Sequence, residues 1–351
     1  MKKSYIYLPV IAILLQACST PVTETNTSVT EPAPESVTAT QPSAEPASPA
    51  TAELSTPNSS IAHEVIPSEG VTDRATSHDH DNALTFETKN VRSGDEYFKN
   101  DLERPFTANE MEYLPALDIV NFSITSDDNF YYIRISLVGL NESTQSLNGF
   151  YGVEIDRNAD GRAELLFAAR PSYTEKFSAD NVVVYMDVNG DVGGTKINRP
   201  DDYQGDGFET PIFDLSKDIH PRDLDFAWVR QTVDGTFPAI EFAFKKWIFS
   251  DGREAFMWSV DASGKELNPA TFYWHDFISV EDAGAANVED PNYPVKALSE
   301  FDSTCRVPLG VNVTGVEPLG CYVGGGETEE RGEINPDLNC EIFSALCEWI
   351  K

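Results

Sequence analysis

Short runs of β-branched and aromatic residues recur along the middle of the chain, separated by clusters of Asp, Asn, Gly and Ser, and this rhythm predicts strands. Residues 130–138 show it most clearly: Tyr131, Ile133, Ile135 and Leu137 fall on one face, and Tyr132, Arg134 and Ser136 on the other. That period of two belongs to a strand with one side turned to a core. Ser126-Asp127-Asp128-Asn129 separates this run from another at 118–124, a hairpin signature. Further runs stand at 150–155, 163–169, 182–187, 208–213, 224–229, 239–244 and 255–260, with no amphipathic segment of helical length between them. Such a set suits two packed antiparallel sheets. The expected fold class is therefore all-β, an antiparallel two-sheet β-sandwich. Trp228 and Trp258, each sharing a face with other large apolar residues, are expected in its core.

The pattern changes at the N-terminus. Lys2 and Lys3 precede an apolar run at 5–15, after which come Gln16, Ala17 and Cys18. The run is too short for a membrane span, which takes about 20 residues, and reads as a cleaved leader over residues 1–17. Leu15-Gln16-Ala17-Cys18 resembles the lipobox of bacterial lipoproteins. That resemblance implies that Cys18 becomes the first mature residue, with diacylglycerol on its thiol and an acyl group on its amine. The protein is then anchored to the cell membrane or the outer membrane by lipid and exposed at the surface or in the periplasm. Ser19, in place of an Asp, favours the outer membrane where one exists.

From Cys18 to residue 82 the chain is rich in Thr, Ser, Pro, Ala and Glu and has no aromatic ring other than histidine. Such a stretch buries too little apolar surface to offset its ordering entropy, and it is expected to be a disordered tether with a reach of roughly 45 Å. His78-Asp79-His80-Asp81 closes it and reads as a solvated polar run. The predicted organisation is thus leader 1–17, anchor and linker 18–82, β-sandwich 83–322 and a cysteine-containing tail 323–351.

Charge narrows the partners. Asp and Glu outnumber Lys and Arg 58 to 25, for a net charge of -33. Nucleic acid, whose binding depends on basic side chains meeting phosphates, is excluded as a partner class. Of the five cysteines, Cys18 is assigned to lipid. The other four, in an oxidising compartment, suggest two disulfides. The glycine run at 324–326 favours local pairing, Cys305 with Cys321 and Cys340 with Cys347. A single helix over 337–350 would hold Cys340 and Cys347 about 10 Å apart, so their pairing requires a break there. The other two connectivities stay open.

Across residues 94–321 a series of landmarks resembles a group of uncharacterised secreted bacterial proteins. They include Glu103-Arg104-Pro105-Phe106, Asp118-Ile119-Val120, Gly205-Asp206-Gly207, Phe256-Met257-Trp258 and Asp302-Ser303-Thr304-Cys305-Arg306. The wider likeness is to carbohydrate-binding module family 9 and DOMON-like sandwiches, a fold used for sugar, haem and calcium binding. His275-Asp276 stands where the group tends to show Asp then His.

Candidate chemistry lies in three acidic loops. In the first, Asp156, Asn158 and Asp160 take positions 1, 3 and 5 of a calcium loop, Gly161 position 6, the Arg162 carbonyl position 7 and Glu164 position 9. Phe167 replaces the Glu that ends an EF-hand loop, so the match covers the first half only. Asp187, Asn189 and Asp191 repeat the start without the glycine, and the stretch 202–209 is looser. Calcium is the expected cofactor. Trp247, Tyr273 and Trp274 are candidate platforms for a sugar ring. No Gly-x-Ser-x-Gly, His-Glu-x-x-His or phosphate-cradling motif occurs. The reading is a noncatalytic, calcium-stabilised surface module for an extracellular glycan or similar ligand. Its alternatives are a hydrolase with an unrecognised carboxylate site and a structural envelope protein.

Overall fold

Among the described residues the chain forms thirteen strands. In order they are β1 (Ala75–His78), β2 (Leu102–Arg104), β3 (Ile119–Ser126), β4 (Phe130–Leu137), β5 (Phe150–Asp156), β6 (Leu165–Ala169) and β7 (Val182–Met186). There follow β8 (Thr210–Phe213), β9 (Ala227–Thr232), β10 (Ala239–Lys245), β11 (Phe256–Ser263), β12 (Phe301–Ser303) and β13 (Val307–Leu309). Among the described residues one α-helix occurs, α1, and it spans only Val280–Ala283. The structure is a computed structural model and describes residues 63–69, 74–83, 86–88, 95–192, 205–233, 236–249, 254–271 and 278–321. All of these fall within one compact unit, Ser59–Lys351.

Two antiparallel sheets form. The five-stranded one runs β1-β3-β4-β10-β9, and the eight-stranded one β2-β12-β11-β5-β6-β7-β8, with β13 beside β11. Alternation places Ile133, Ile135 and Leu137 of the first against Val153, Ile155, Phe167 and Val260 of the second in one core. Trp258, buried as expected, meets Phe122 edge-on at 5.1 Å. The two-sheet sandwich is therefore the fold that the spacing of apolar residues implies.

Both sheets are also covered on their outer faces. Leu166 and Ala168, which alternate with the core residues of β6, pack with Leu102, Phe208, Leu298, Phe301 and Leu319 in a second cluster. The outer face of the five-stranded sheet is closed by the chain's own N-terminal segment. Tyr132, predicted to face outward, is nevertheless buried, and its hydroxyl accepts from the Ser68 N–H at 2.9 Å. His63 lies 4.5 Å from the Trp228 ring and 2.7 Å from an Asp225 oxygen.

This corrects the expected tether boundary. β1 pairs antiparallel with β3 from Ala75↔Ile124 to His78↔Asn121, although its residues lie inside the 18–82 stretch. Arg74 reaches Glu241 at 2.7 Å. Composition judges side-chain burial, whereas an edge strand docks through backbone hydrogen bonds and needs few apolar side chains.

Candidate functional site

The loop from β5 to β6 winds around Asp156. Its Oδ1 accepts the N–H of Ala159 at 2.7 Å and its Oδ2 that of Gly161 at 2.8 Å. Asn158 Oδ1 accepts from the Asp160 N–H, and Asp160 Oδ1 from the Arg162 N–H, both at 2.8 Å. Glu164 receives the Arg157 N–H at 2.7 Å and the Asn158 amide at 2.8 Å. Ala159 and Gly161 adopt positive φ, 60° and 90°, which bends the loop tightly enough to turn all four side chains inward. The sequence-predicted residues Asp156, Asn158, Asp160 and Glu164 thus meet in one turn. Arg306 adds what spacing could not show, a guanidinium 2.8 Å from Asp156 and 2.8 Å from Glu154.

The loop after β7 repeats the design. Asp187 accepts from the Gly190 N–H at 2.7 Å and the Val192 N–H at 3.0 Å, and Asn189 from the Asp191 N–H at 3.1 Å. Gly190, at φ 76°, occupies the place of Ala159. The part of Glu164 is taken by Glu209, which accepts the Val188 N–H at 2.9 Å. Asn189 also donates to Asp206 at 3.0 Å. Part of the third acidic stretch, Asp206 and Glu209, therefore completes the second loop. Gly205 permits that approach, since a Cβ there would lie 1.7 Å from the Asp191 carbonyl oxygen. The two loops sit side by side, joined by the Asp187 N–H to the Glu164 carbonyl at 3.1 Å.

Electrostatics at both loops favour neutralisation. Burial, partly offset by Arg306, pushes Asp156 up to about 6, and burial with repulsion from Asp156 and Asp160 pushes Glu164 well above the usual carboxylate range. Asp187 is pushed up to about 7, again chiefly by burial.

Trp247 is half-buried against Phe226, ring centroids 5.2 Å apart, and its indole N–H donates to Asp223 at 2.7 Å. It is occupied in packing at the end of β10. Cys305 and Cys321 are joined, with Cα atoms 5.0 Å apart. Cys18, Tyr273, Trp274, His275, Asp276, Cys340 and Cys347 lie outside the described residues.

A second acidic centre assembles from residues that no local motif marks. Glu103 on β2 is directly opposite Asp302 on β12. Asp79 follows β1, with its N–H on the Val120 carbonyl, and Asp118 precedes β3. Glu103, Asp118 and Asp302 are buried, and Asp79, Glu103 and Asp302 bring carboxylate oxygens within 4.8 Å of one another. Burial and mutual repulsion push these three well above the usual carboxylate range. For Asp118, burial prevails over hydrogen bonds from Tyr113 and Asn82 and pushes it up to about 7. The run His78-Asp79-His80-Asp81 is therefore not simply solvated, because Asp79 turns inward. The only local signs were single acids beside apolar residues, Leu102-Glu103 and Phe301-Asp302.

Comparison with protein-family models, curated proteins and solved structures finds no match to this chain.

Proposed function

We propose that this chain is a noncatalytic, calcium-stabilised β-sandwich, held outside the cytoplasm on the cell membrane or outer membrane by lipid on Cys18 and displayed there to bind an extracellular glycan or similar ligand. The observation that carries the reading is the duplicated turn at one end of the eight-stranded sheet. Two loops of the same residue pattern wrap an aspartate in their own N–H groups and gather carboxylate and amide oxygens beside it. An ionised carboxylate has about four acceptor sites, so one or two N–H donors orient Asp160 and Glu164 without exhausting them. Flexible loops of such oxygens suit calcium, with dissociation constants of roughly 0.1–1 mM in extracellular modules. In support of the noncatalytic part, several buried acids are committed to ion pairs: Glu154 and Asp156 with Arg306, and Glu241 with Arg74, Arg134 and Arg230.

Calorimetry on the chelator-treated protein tests the loop. At ten times the dissociation constant, calcium is expected to stabilise the fold by about 1.4 kcal/mol, a shift of a few degrees in Tm. Asn158→Ala with Asp160→Ala, which leaves Asp156 to Arg306, is expected to remove one binding event and reduce that shift. An unchanged isotherm in the double variant would show the loop to be only a turn. For the ligand, a glycan array is read with and without calcium beside an assay for reducing-sugar release. Calcium-dependent binding without release is expected. Release from the bound polymer would make the protein a hydrolase, and silence in both assays would leave a structural envelope role.

A further inference from the structure

The acidic centre at 79, 103, 118 and 302 lies where the two sheets meet at one side of the sandwich. β1 is the edge of the five-stranded sheet and β2 the edge of the eight-stranded one. Like charges directly opposite across a strand pair, as Glu103 and Asp302 are, destabilise a sheet. Here the opposition is buried, and two more acids join it.

Each carboxylate is held by one side and open on the other. Asp302 Oδ2 accepts the Ile119 N–H at 2.7 Å, and Asp118 Oδ2 accepts the Asn82 N–H at 3.0 Å and the Tyr113 hydroxyl at 2.5 Å. Glu103 Oε2 accepts from the Asn82 amide at 2.6 Å, and the His80 N–H bonds Asp79. The second oxygens, Asp79 Oδ2, Glu103 Oε1, Asp118 Oδ1 and Asp302 Oδ1, are buried and accept no N–H or O–H from another residue, although the carboxyls of Asp79 and Glu103 lie close enough to share a proton. Four such atoms from four separate segments are costly to bury as anions unless protons or a cation lie among them. Arg104, next to Glu103, does not supply it. Its guanidinium points to Asp95 at 2.7 Å and to the carbonyls of Ala283, Gly284 and Leu298.

We infer that Asp79, Glu103 and Asp302 bind a divalent cation, with Asp118 and Asn82 fixing the cradle, and that the ion is calcium. Oxygens within 4.8 Å of one another are spanned by one ion at calcium's contact distance of about 2.3–2.6 Å. The ligand set is carboxylate oxygen throughout, a hard-cation set. Calcium fits it better than magnesium, which keeps several waters and demands near-octahedral geometry, whereas these ligands come irregularly from a largely buried sheet junction. The ion fastens the edge of one sheet to the edge of the other, and with them the segment 74–83 that carries Asp79. The site shares no residue with the 156–164 loop and stands or falls separately from it.

Hydrogen exchange on the full-length protein, stripped with a chelator and returned to neutral buffer, reads the site locally. With 10 mM calcium chloride, amides of residues 75–83, 102–104 and 119–120 are expected to exchange about ten- to a hundredfold more slowly. The same slowing is expected in the Asn158→Ala, Asp160→Ala variant. Asp302→Asn and Glu103→Gln, each keeping shape while removing one charge, are expected to abolish it. Should one of these not fold, the other carries the comparison. Exchange in these segments that ignores calcium in the parent, or a slowing that vanishes in the loop variant, overturns the site. Equal protection by 10 mM magnesium chloride overturns the choice of ion.

Discussion

Glu317 shows how one residue's neighbours set its chemistry. Burial would raise its carboxyl, but the N–H and hydroxyl of Thr314 and the N–H of Gly315, the last at 2.9 Å, outweigh that and hold it down at about 2. A group depressed in the folded state from an ordinary 4.5 stabilises fully above that pH, and the stability is lost as pH falls through about 2. Glu317→Gln is thus expected to cost about 1–3 kcal/mol at pH 7, as hydrogen bonds to a charged group do. Urea unfolding at pH 7 and again near pH 2 checks this, the gap between variant and parent narrowing at the lower pH. Residue identity alone did not reveal such partners. In the 156–164 loop, by contrast, local spacing brought Asp156, Asn158, Asp160 and Glu164 to notice because a turn of nine residues can close on itself. Arg306 could not be read there, since it comes from a distant segment.

Among the elements, the long strands were legible and the short ones were not. β4 and β11 offer eight positions each, enough for alternation to be seen. β2, β12 and β13 have three residues each and lie among loops, where no period can be established. The segment after β12 owes its place to covalent and ionic ties. The Cys305–Cys321 bond closes beside a parallel bridge between Arg306 and Gly320, and so sets the Arg306 side chain against Glu154 and Asp156. The bond spans a sequence separation of 16, and its loss is expected to cost about 3 kcal/mol on loop-entropy grounds. Denaturant melts of Cys305→Ser with Cys321→Ser, compared with the parent under non-reducing conditions, measure that. A loss well below 1 kcal/mol would mean that the ion pairs and the pairing of β13 with β11 hold the segment without the bond.

In the proposed whole molecule, the folded body follows a linker that begins at the lipid-bearing Cys18. Cys18→Ser is expected to leave the precursor unlipidated and to move the protein out of the detergent-extracted membrane fraction. A variant that still fractionates with membranes like the parent would remove the anchor from the proposal. Composition by itself determined the acidic balance, and the period-two runs determined the two-sheet class, because burial of alternate side chains is a local demand that each strand meets within its own sequence. Only the tertiary structure decided that residues 63–69 and 74–83 belong to the body, that part of the third acidic stretch serves the second loop, and that Asp79, Glu103, Asp118 and Asp302 meet. Those outcomes depend on which strand edges lie side by side. Strand order comes from packing and backbone pairing between segments far apart in the chain, so no window of sequence contains it.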